Sequence, residues 1–253
     1  MIDIHSHILP AIDDGSKSIE MSIDMIKRAY EEGTRDIIAT PHFRRGCFDT
    51  PYNEVKDIVK YFNGLLKEEG LDIDIHYGQE VYYSDNIIDD LEEGLIGTIN
   101  GGRYLLIEFP MRKIPSEALD YIYELRIRGI IPIIAHPERY SEVIRNPEVL
   151  NDFIEEGCLF QLNAGSIRGD FGKDSKKTAE LLVKNGVYSF VGSDAHNNSF
   201  RRTGIKEECK EVFKRNIDLR KIFMENSIKL LNNEEIEFTG NLIKKKRGLF
   251  FRW

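Results

Sequence analysis

Two histidines, His5 and His7, stand two residues apart near the start of the chain. Side chains alternate along an extended strand, so both leave the same face and can meet one cation. Alone, such a pair equally suits two half-buried polar residues. Its company decides: His42, His136 and His196, with Glu80, Glu108 and Asp194, close or follow apolar runs, and the first run is followed by Asp13-Asp14-Gly15. Imidazole and carboxylate without thiolate suit manganese, iron, cobalt or zinc rather than a cysteine-based zinc site. With Asp14 these make nine candidate ligands, more than one ion takes. Two or three ions sharing carboxylates would use them, and ions about 3.5 to 4 Å apart form the clamp that activates water for phosphoryl transfer. Hydrolysis is the chemistry implied.

Arg139, in the segment HPER, and the pair Arg201-Arg202 after His196 lie near these residues in sequence. Their planar forks can hold two phosphate oxygens, or can simply form surface ion pairs. Asn163 and Ser166 either orient water or substrate or cap a turn. His76 falls inside a predicted strand, away from the other histidines, and reads as structural. The segment Cys209 to Arg215, CKEVFKR, has the CX5R spacing of cysteine-dependent tyrosine phosphatases. It lacks the glycines whose backbone N–H groups would cradle phosphate and reads as an amphipathic helix, so a cysteine mechanism is rejected.

Such scattered residues need a scaffold that returns each to one face. Seven short apolar runs alternate with amphipathic stretches: Ile2 to His7, Asp36 to Thr40, Ile73 to Gln79, Arg103 to Phe109, Ile131 to His136, Cys158 to Asn163 and Tyr188 to Ser193. That alternation predicts a parallel sheet with crossover helices. Glycines 33, 70, 94, 129, 157 and 186 mark the predicted helix ends. Each strand gives way to polar residues at its C-terminal end, the rim where α/β barrels place catalysis.

A chain of 253 residues fits one such barrel. The net charge of −8 argues against a nucleic-acid partner. No apolar run approaches the ~20 residues that cross a bilayer, and three dispersed cysteines form no disulfide framework, so a cytoplasmic protein is expected. Residues 1–240 are expected to form the barrel and residues 241–253 a basic aromatic tail, ending KKKRGLFFRW, that could touch anionic lipid or a partner or simply be a loose terminus.

The motifs MIDIHSHILPAIDDG, ATPH, GQE, IEFP, AHPERY and SDAHN, in order from Met1 to about Leu231, resemble the polymerase and histidinol phosphatase (PHP) superfamily, and within it the bacterial capsule and exopolysaccharide tyrosine-protein phosphatases of the CpsB type. The resemblance implies a distorted seven-stranded β/α barrel, a site of two or three ions, usually manganese, and hydrolysis of phosphotyrosine on the tail of a tyrosine autokinase controlling polysaccharide assembly. It further implies that His5, His7, Glu80 and Asp194 hold one ion. Glu80 would bridge to a second, held also by Glu108 and His136. Asp14, His42 and His196 would hold the third, with Arg139 and Arg201 around the phosphate.

A phenolate leaving group with a pKa of about 10 needs only modest acid assistance. Asp13 or His196 is the expected donor. Two other functions compete: a PHP phosphoesterase acting on a small phosphomonoester such as histidinol phosphate, and a catalytically idle regulator that binds a kinase tail or a membrane.

Overall fold

The computed structural model describes residues 1–244. Among them the chain forms nine strands, β1 (Ile2–Ser6), β2 (Asp36–Ala39), β3 (His42–Phe43), β4 (Asp74–Tyr77), β5 (Glu80–Tyr82), β6 (Tyr104–Glu108), β7 (Ile131–Ala135), β8 (Leu159–Asn163) and β9 (Phe190–Gly192). All pair in parallel. Helices including Ile19–Glu31, Tyr52–Glu68, Ala118–Ile127 and Lys173–Lys184 make the crossovers. The glycines expected to stop helices follow the helix ends, and Ser18 caps the first, its side chain accepting from the Met21 N–H.

The seven expected strands are present, and two further short strands, β3 and β5, follow the second and third beyond their expected ends at Thr40 and Gln79. Pro41 has no N–H to continue the ladder after β2, and β4 gives way at Gly78-Gln79 to β5. Bonds from Gly78 N–H to the Ala39 carbonyl and from Glu80 N–H to the Pro41 carbonyl, both 3.0 Å, carry the pairing across the gap. The break has a chemical result: it sets His42 directly opposite Glu80 in the β3–β5 register.

Strand order runs β1-β2-β4 in one sheet and β3-β5-β6-β7-β8-β9 in the other. The two are continuous through β2 into β3 and β4 into β5. At the far side, Asp194 N–H donates to the His5 carbonyl at 2.8 Å and His7 N–H to the Ala195 carbonyl at 2.9 Å, joining β9 back to β1. The result is a distorted (β/α)7 barrel.

One apolar cluster, including Ile38, Tyr104, Leu106, Ile133, Phe190 and Leu230, fills the lower barrel, while Leu105, Ile107, Ile134 and Phe160 pack outward against helices. This is the alternation expected of barrel strands. The first described residues of the expected tail dock on the barrel, with Ile243 buried and exchanging two hydrogen bonds with Asn151. The remainder of the expected tail, residues 245–253, lies outside the described residues. The rejected CX5R segment is helical from Lys210 to Arg215, with Cys209 buried.

Candidate metal centre

Every ligand predicted from sequence sits at the C-terminal rim. Two are aimed by left-handed backbone: His136 (φ 32°) just after β7 and Asp194 (φ 52°) just after β9. A non-glycine residue there costs about 1–3 kcal/mol and persists only where its surroundings enforce it. Two glycines make room for the histidines. A Cβ on Gly192 would lie 2.5 Å from His5 Cβ, and one on Gly15 would lie 2.2 Å from the His7 carbonyl oxygen.

Glu80 is the hub. Its Oε2 lies 3.1 Å from His5 Nε2, 3.2 Å from His7 Nε2 and 3.1 Å from His42 Nδ1, and its Oε1 lies 3.0 Å from His136 Nε2. Asp194 Oδ1 lies 3.7 and 3.4 Å from the same nitrogens of His5 and His7. Asp14 Oδ1 faces His196 Nε2 at 3.2 Å and His42 Nε2 at 3.6 Å. Glu108 approaches His136 at 3.6 Å and His42 at 4.0 Å. Three sets have donor atoms within 4.8 Å of one another: His5, His7, Glu80 and Asp194; His7, Asp14, His42 and His196; and His42, Glu80 and Glu108. The first matches the ligand set implied by the resemblance. In the others His7 and His42 each belong to two sets, a sharing that sequence spacing did not reveal.

Partners behind the rings fix which nitrogen faces inward. Gln161 Oε1 accepts from the His136 backbone N–H at 3.2 Å, so it is the oxygen that meets His5 Nδ1 at 2.9 Å. His7 Nδ1 donates to Asp13 Oδ2 at 2.7 Å, and His196 Nδ1 to the Asp194 carbonyl at 2.9 Å. With Nδ1 committed to these acceptors, His5, His7 and His196 turn their Nε2 atoms into the centre. Gln161 escaped the sequence reading. The available signal was its place two residues before Asn163 on β8, which puts both on one face of the strand.

These contacts reassign the two expected proton donors. Asp13 accepts from His7, from the His42 N–H at 3.0 Å and from the Gly15 N–H at 2.8 Å. Burial would raise its pKa, but the His7 charge and hydrogen bond hold it below the ordinary carboxyl range. An ionised, fully engaged carboxylate orients His7 and has no proton to give. His196 is pushed down to about 4 by burial and the nearby His7 charge, so its ring is neutral and its Nδ1 proton is committed.

The remaining shifts describe a crowded cluster of negative charge. Burial opposes protonation of His5 and His7, yet the carboxylates of Glu80 and Asp194 around the first and of Asp13 beside the second lift both above the ordinary histidine range. Burial together with the charge on Glu80 raises Glu108 to about 9. Burial and the Arg139 charge press His136 to about 4. Glu80 Oε2 and His196 Nε2 are buried with no hydrogen-bond partner. Unpaired lone pairs and converging carboxylates demand positive charge, and divalent ions fit the donors present.

Arg139 Nη1 donates to Asp194 Oδ2 at 2.7 Å and Arg201 Nη2 to Asp194 Oδ1 at 2.5 Å, so both expected phosphate binders flank one ligand carboxylate. Arg201 Nε is buried without a partner, and the Arg139 guanidinium lies over the Phe171 ring at 4.2 Å. Of the two roles considered for Asn163 the structure shows the cap, Oδ1 accepting from Gly165 N–H at the start of the helix Ala164–Arg168, while Nδ2 donates to Asp194 Oδ2 at 2.6 Å. Ser166 is buried beside it. Arg202 lies further out, and His76 lies apart from the centre, bonded to Asp36.

Comparison with known proteins agrees with this geometry. The family model for capsular polysaccharide synthesis proteins, CpsB/CapC, matches residues 1–232. Tyrosine-protein phosphatase YwqE of Bacillus subtilis (strain 168) is 37% identical over 251 residues, 99% of each chain. Tyrosine-protein phosphatase CpsB of Streptococcus agalactiae serotype III (strain NEM316) is 32% identical over 249 residues, 93% of this chain and 100% of that one. A crystal structure from work on YwqE from Bacillus subtilis and CpsB from Streptococcus pneumoniae, described as unique metal-dependent tyrosine phosphatases, superposes with a TM-score of 0.91 at 36% identity, covering 97% of this chain and 100% of that one. A beta-aspartyl dipeptidase from Fervidobacterium islandicum AW-1, with a TM-score of 0.53 at 13% identity over 95% of this chain and 75% of that one, shares the fold alone. The chain belongs to the CpsB/CapC family of capsular polysaccharide synthesis proteins.

Proposed function

We propose that this chain is a metal-dependent protein-tyrosine phosphatase, using manganese, whose substrate is the phosphotyrosine-bearing tail of a bacterial tyrosine kinase controlling capsule or exopolysaccharide synthesis. A cytoplasmic site of action goes with this reading. The carrying observation is the convergence of imidazoles and carboxylates on Glu80, beside two arginines. The names of the relatives, tyrosine-protein phosphatases at 32–37% identity, support it.

In this reading His5, His7, Glu80 and Asp194 hold one ion; Glu80, Glu108 and His136 a second, with His42 in reach; and Asp14, His42 and His196 a third. Divalent ions held there supply Lewis-acid polarisation of the phosphate and water acidified toward neutrality as nucleophile. The chain's own residues do the rest. Gln161 and Asp13 keep His5 and His7 in one tautomer and orientation. Asp194 anchors Arg139 and Arg201 through one nitrogen each, leaving other N–H groups, the buried Arg201 Nε among them, to neutralise the phosphate. A phenolate leaves without a strong acid, consistent with a depressed Asp13 carboxyl and with the His196 Nδ1 proton committed to the Asp194 carbonyl.

The test is turnover of phosphotyrosine peptides, phosphoserine peptides and histidinol phosphate, each with metal stripped and then restored. The expected result is activity lost on chelation, regained with manganese and greatest on phosphotyrosine. Activity that survives complete chelation, or equal rates on all three substrates, overturns the reading.

A further inference from the structure

Beside Asn163 and Arg201, which both donate to Asp194, a shallow crevice of about 10 Å3 is lined also by Phe171, Phe200, Arg168 and Arg202. The same two arginines open a second, wider groove of about 880 Å3. Its apolar floor comes from Ile167, Val183 and Val212, and its edges are charged. One wall is the helix Lys173–Lys184, which presents Lys176 and Lys184 with Glu180 between them; the other comprises Ile205–Glu208 and Lys210–Arg215, which present Glu207 and Glu211.

The walls differ in how their charge is compensated. Glu207 pairs with Lys210 at 3.1 Å and Glu211 with Lys214 at 2.9 Å, neither lysine lining the groove. Lys176 and Lys184 make no ion pair among the described residues. On this wall two lysines outnumber the one carboxylate of Glu180, so a chain with a net charge of −8 carries a locally basic edge beside its candidate catalytic rim. At the junction stands Phe200, 58% exposed, an apolar contact for whatever passes from crevice to groove.

We infer that this groove holds the polypeptide flanking the phosphotyrosine, and that acidic substrate side chains meet Lys176 and Lys184. Continuity argues for it, because Arg168 and Arg202 line both cavities and a chain leaving the metal site past Phe200 enters the groove next. Charge argues for it as well, since opposed potentials select partners. The inference rests on the phosphatase reading above, and the test separates the two.

The manganese-loaded full chain would be assayed on free phosphotyrosine and on phosphotyrosine peptides with acidic or with lysine flanks. The wild type is expected to show its lowest KM on the acidic peptide. The double variant Lys176→Glu/Lys184→Glu should raise that KM about ten-fold at unchanged kcat, because exposed charge pairs act mainly on binding. Turnover of free phosphotyrosine should not move, which also reports an intact fold. Lys177→Glu, on the same helix but lining another cavity beside Ile144 and Pro147, should change nothing. Equal KM values for the acidic peptide and free phosphotyrosine in the wild type overturn the groove, as does a double variant that leaves peptide KM unchanged or a Lys177→Glu effect of the same size. If the wild type turns over neither free phosphotyrosine nor any phosphotyrosine peptide, the phosphatase reading falls; anisotropy of a labelled acidic peptide on the two proteins then decides the groove alone.

Discussion

Toward the N-terminal ends of the strands, His76 Nε2 faces Asp36 at 3.0 Å and its Nδ1 faces Asn100 at 3.2 Å, with the imidazole 22% and the carboxylate 29% exposed. At the opposite rim five imidazoles face five carboxylates at 2.7–4.0 Å, most of them buried, around the single hub of Glu80. The building blocks match and the outcomes do not. Water reaches the first pair, so it needs no third party. At the rim, water is excluded and the like charges that remain can be satisfied only by cations. What separates a site from a surface contact here is the number of strands delivering to one point and the loss of solvent there.

The sharpest break in that contrast is Glu80→Gln. Removing the hub carboxylate should lower kcat/KM by on the order of 10^3-fold, since metal-borne charge stabilisation amounts to several kcal/mol. Elemental analysis should show the bound manganese lost, and a fully active, fully loaded variant would refute the shared-hub arrangement. Next comes Gln161→Leu, which frees His5 to turn or change tautomer. Metal affinity should fall about 10- to 100-fold, as for other groups behind ligands, with titration calorimetry as the readout.

The third prediction is one of pH. Glu108 is raised in the fold from its ordinary 4.5 to about 9, so in the metal-free chain its contribution is fully present below 4.5 and is lost as pH rises through 9. His136 and His196, at about 4, contribute above their ordinary 6.5 and lose that contribution as pH falls through 4. Metal binding takes the Glu108 proton and ends the penalty at high pH. The rise in Tm produced by a fixed free manganese concentration should therefore be larger at pH 8 than at pH 6, by a few °C. Equal shifts would show that Glu108 gives up no proton to the metal. The smallest effect belongs to the other end: His76→Gln should leave kcat/KM within about two-fold and stability within about 1 kcal/mol, measured by urea unfolding.

Much of the rim was legible because type and period sufficed. A His-X-His on an apolar run, and acids at the ends of later runs, place candidate side chains on the inner face of the rim without coordinates. What stayed hidden depends on turns and on contacts between distant segments. Asp13 and Asp14 are neighbours, yet the turn sends Asp13 back to His7 and leaves Asp14 half-exposed toward His42 and His196. No periodicity chooses between them. Gln161 was passed over because an amide on a strand is an ordinary core residue until a histidine from another strand lands against it. The short strands β3 and β5 lie beyond the expected runs for a related reason: two or three residues carry no period, and only the neighbouring strand defines their pairing.

The left-handed backbone at His136 and Asp194 carries a consequence for the history of the fold. Glycine or asparagine would occupy both positions with less strain. A population selected for heat resistance alone, with no demand for turnover, should drift toward those residues. Its survivors would be sturdier barrels with blank rims, and a relative bearing glycine at both places would be recognisable as one that had given up chemistry for endurance.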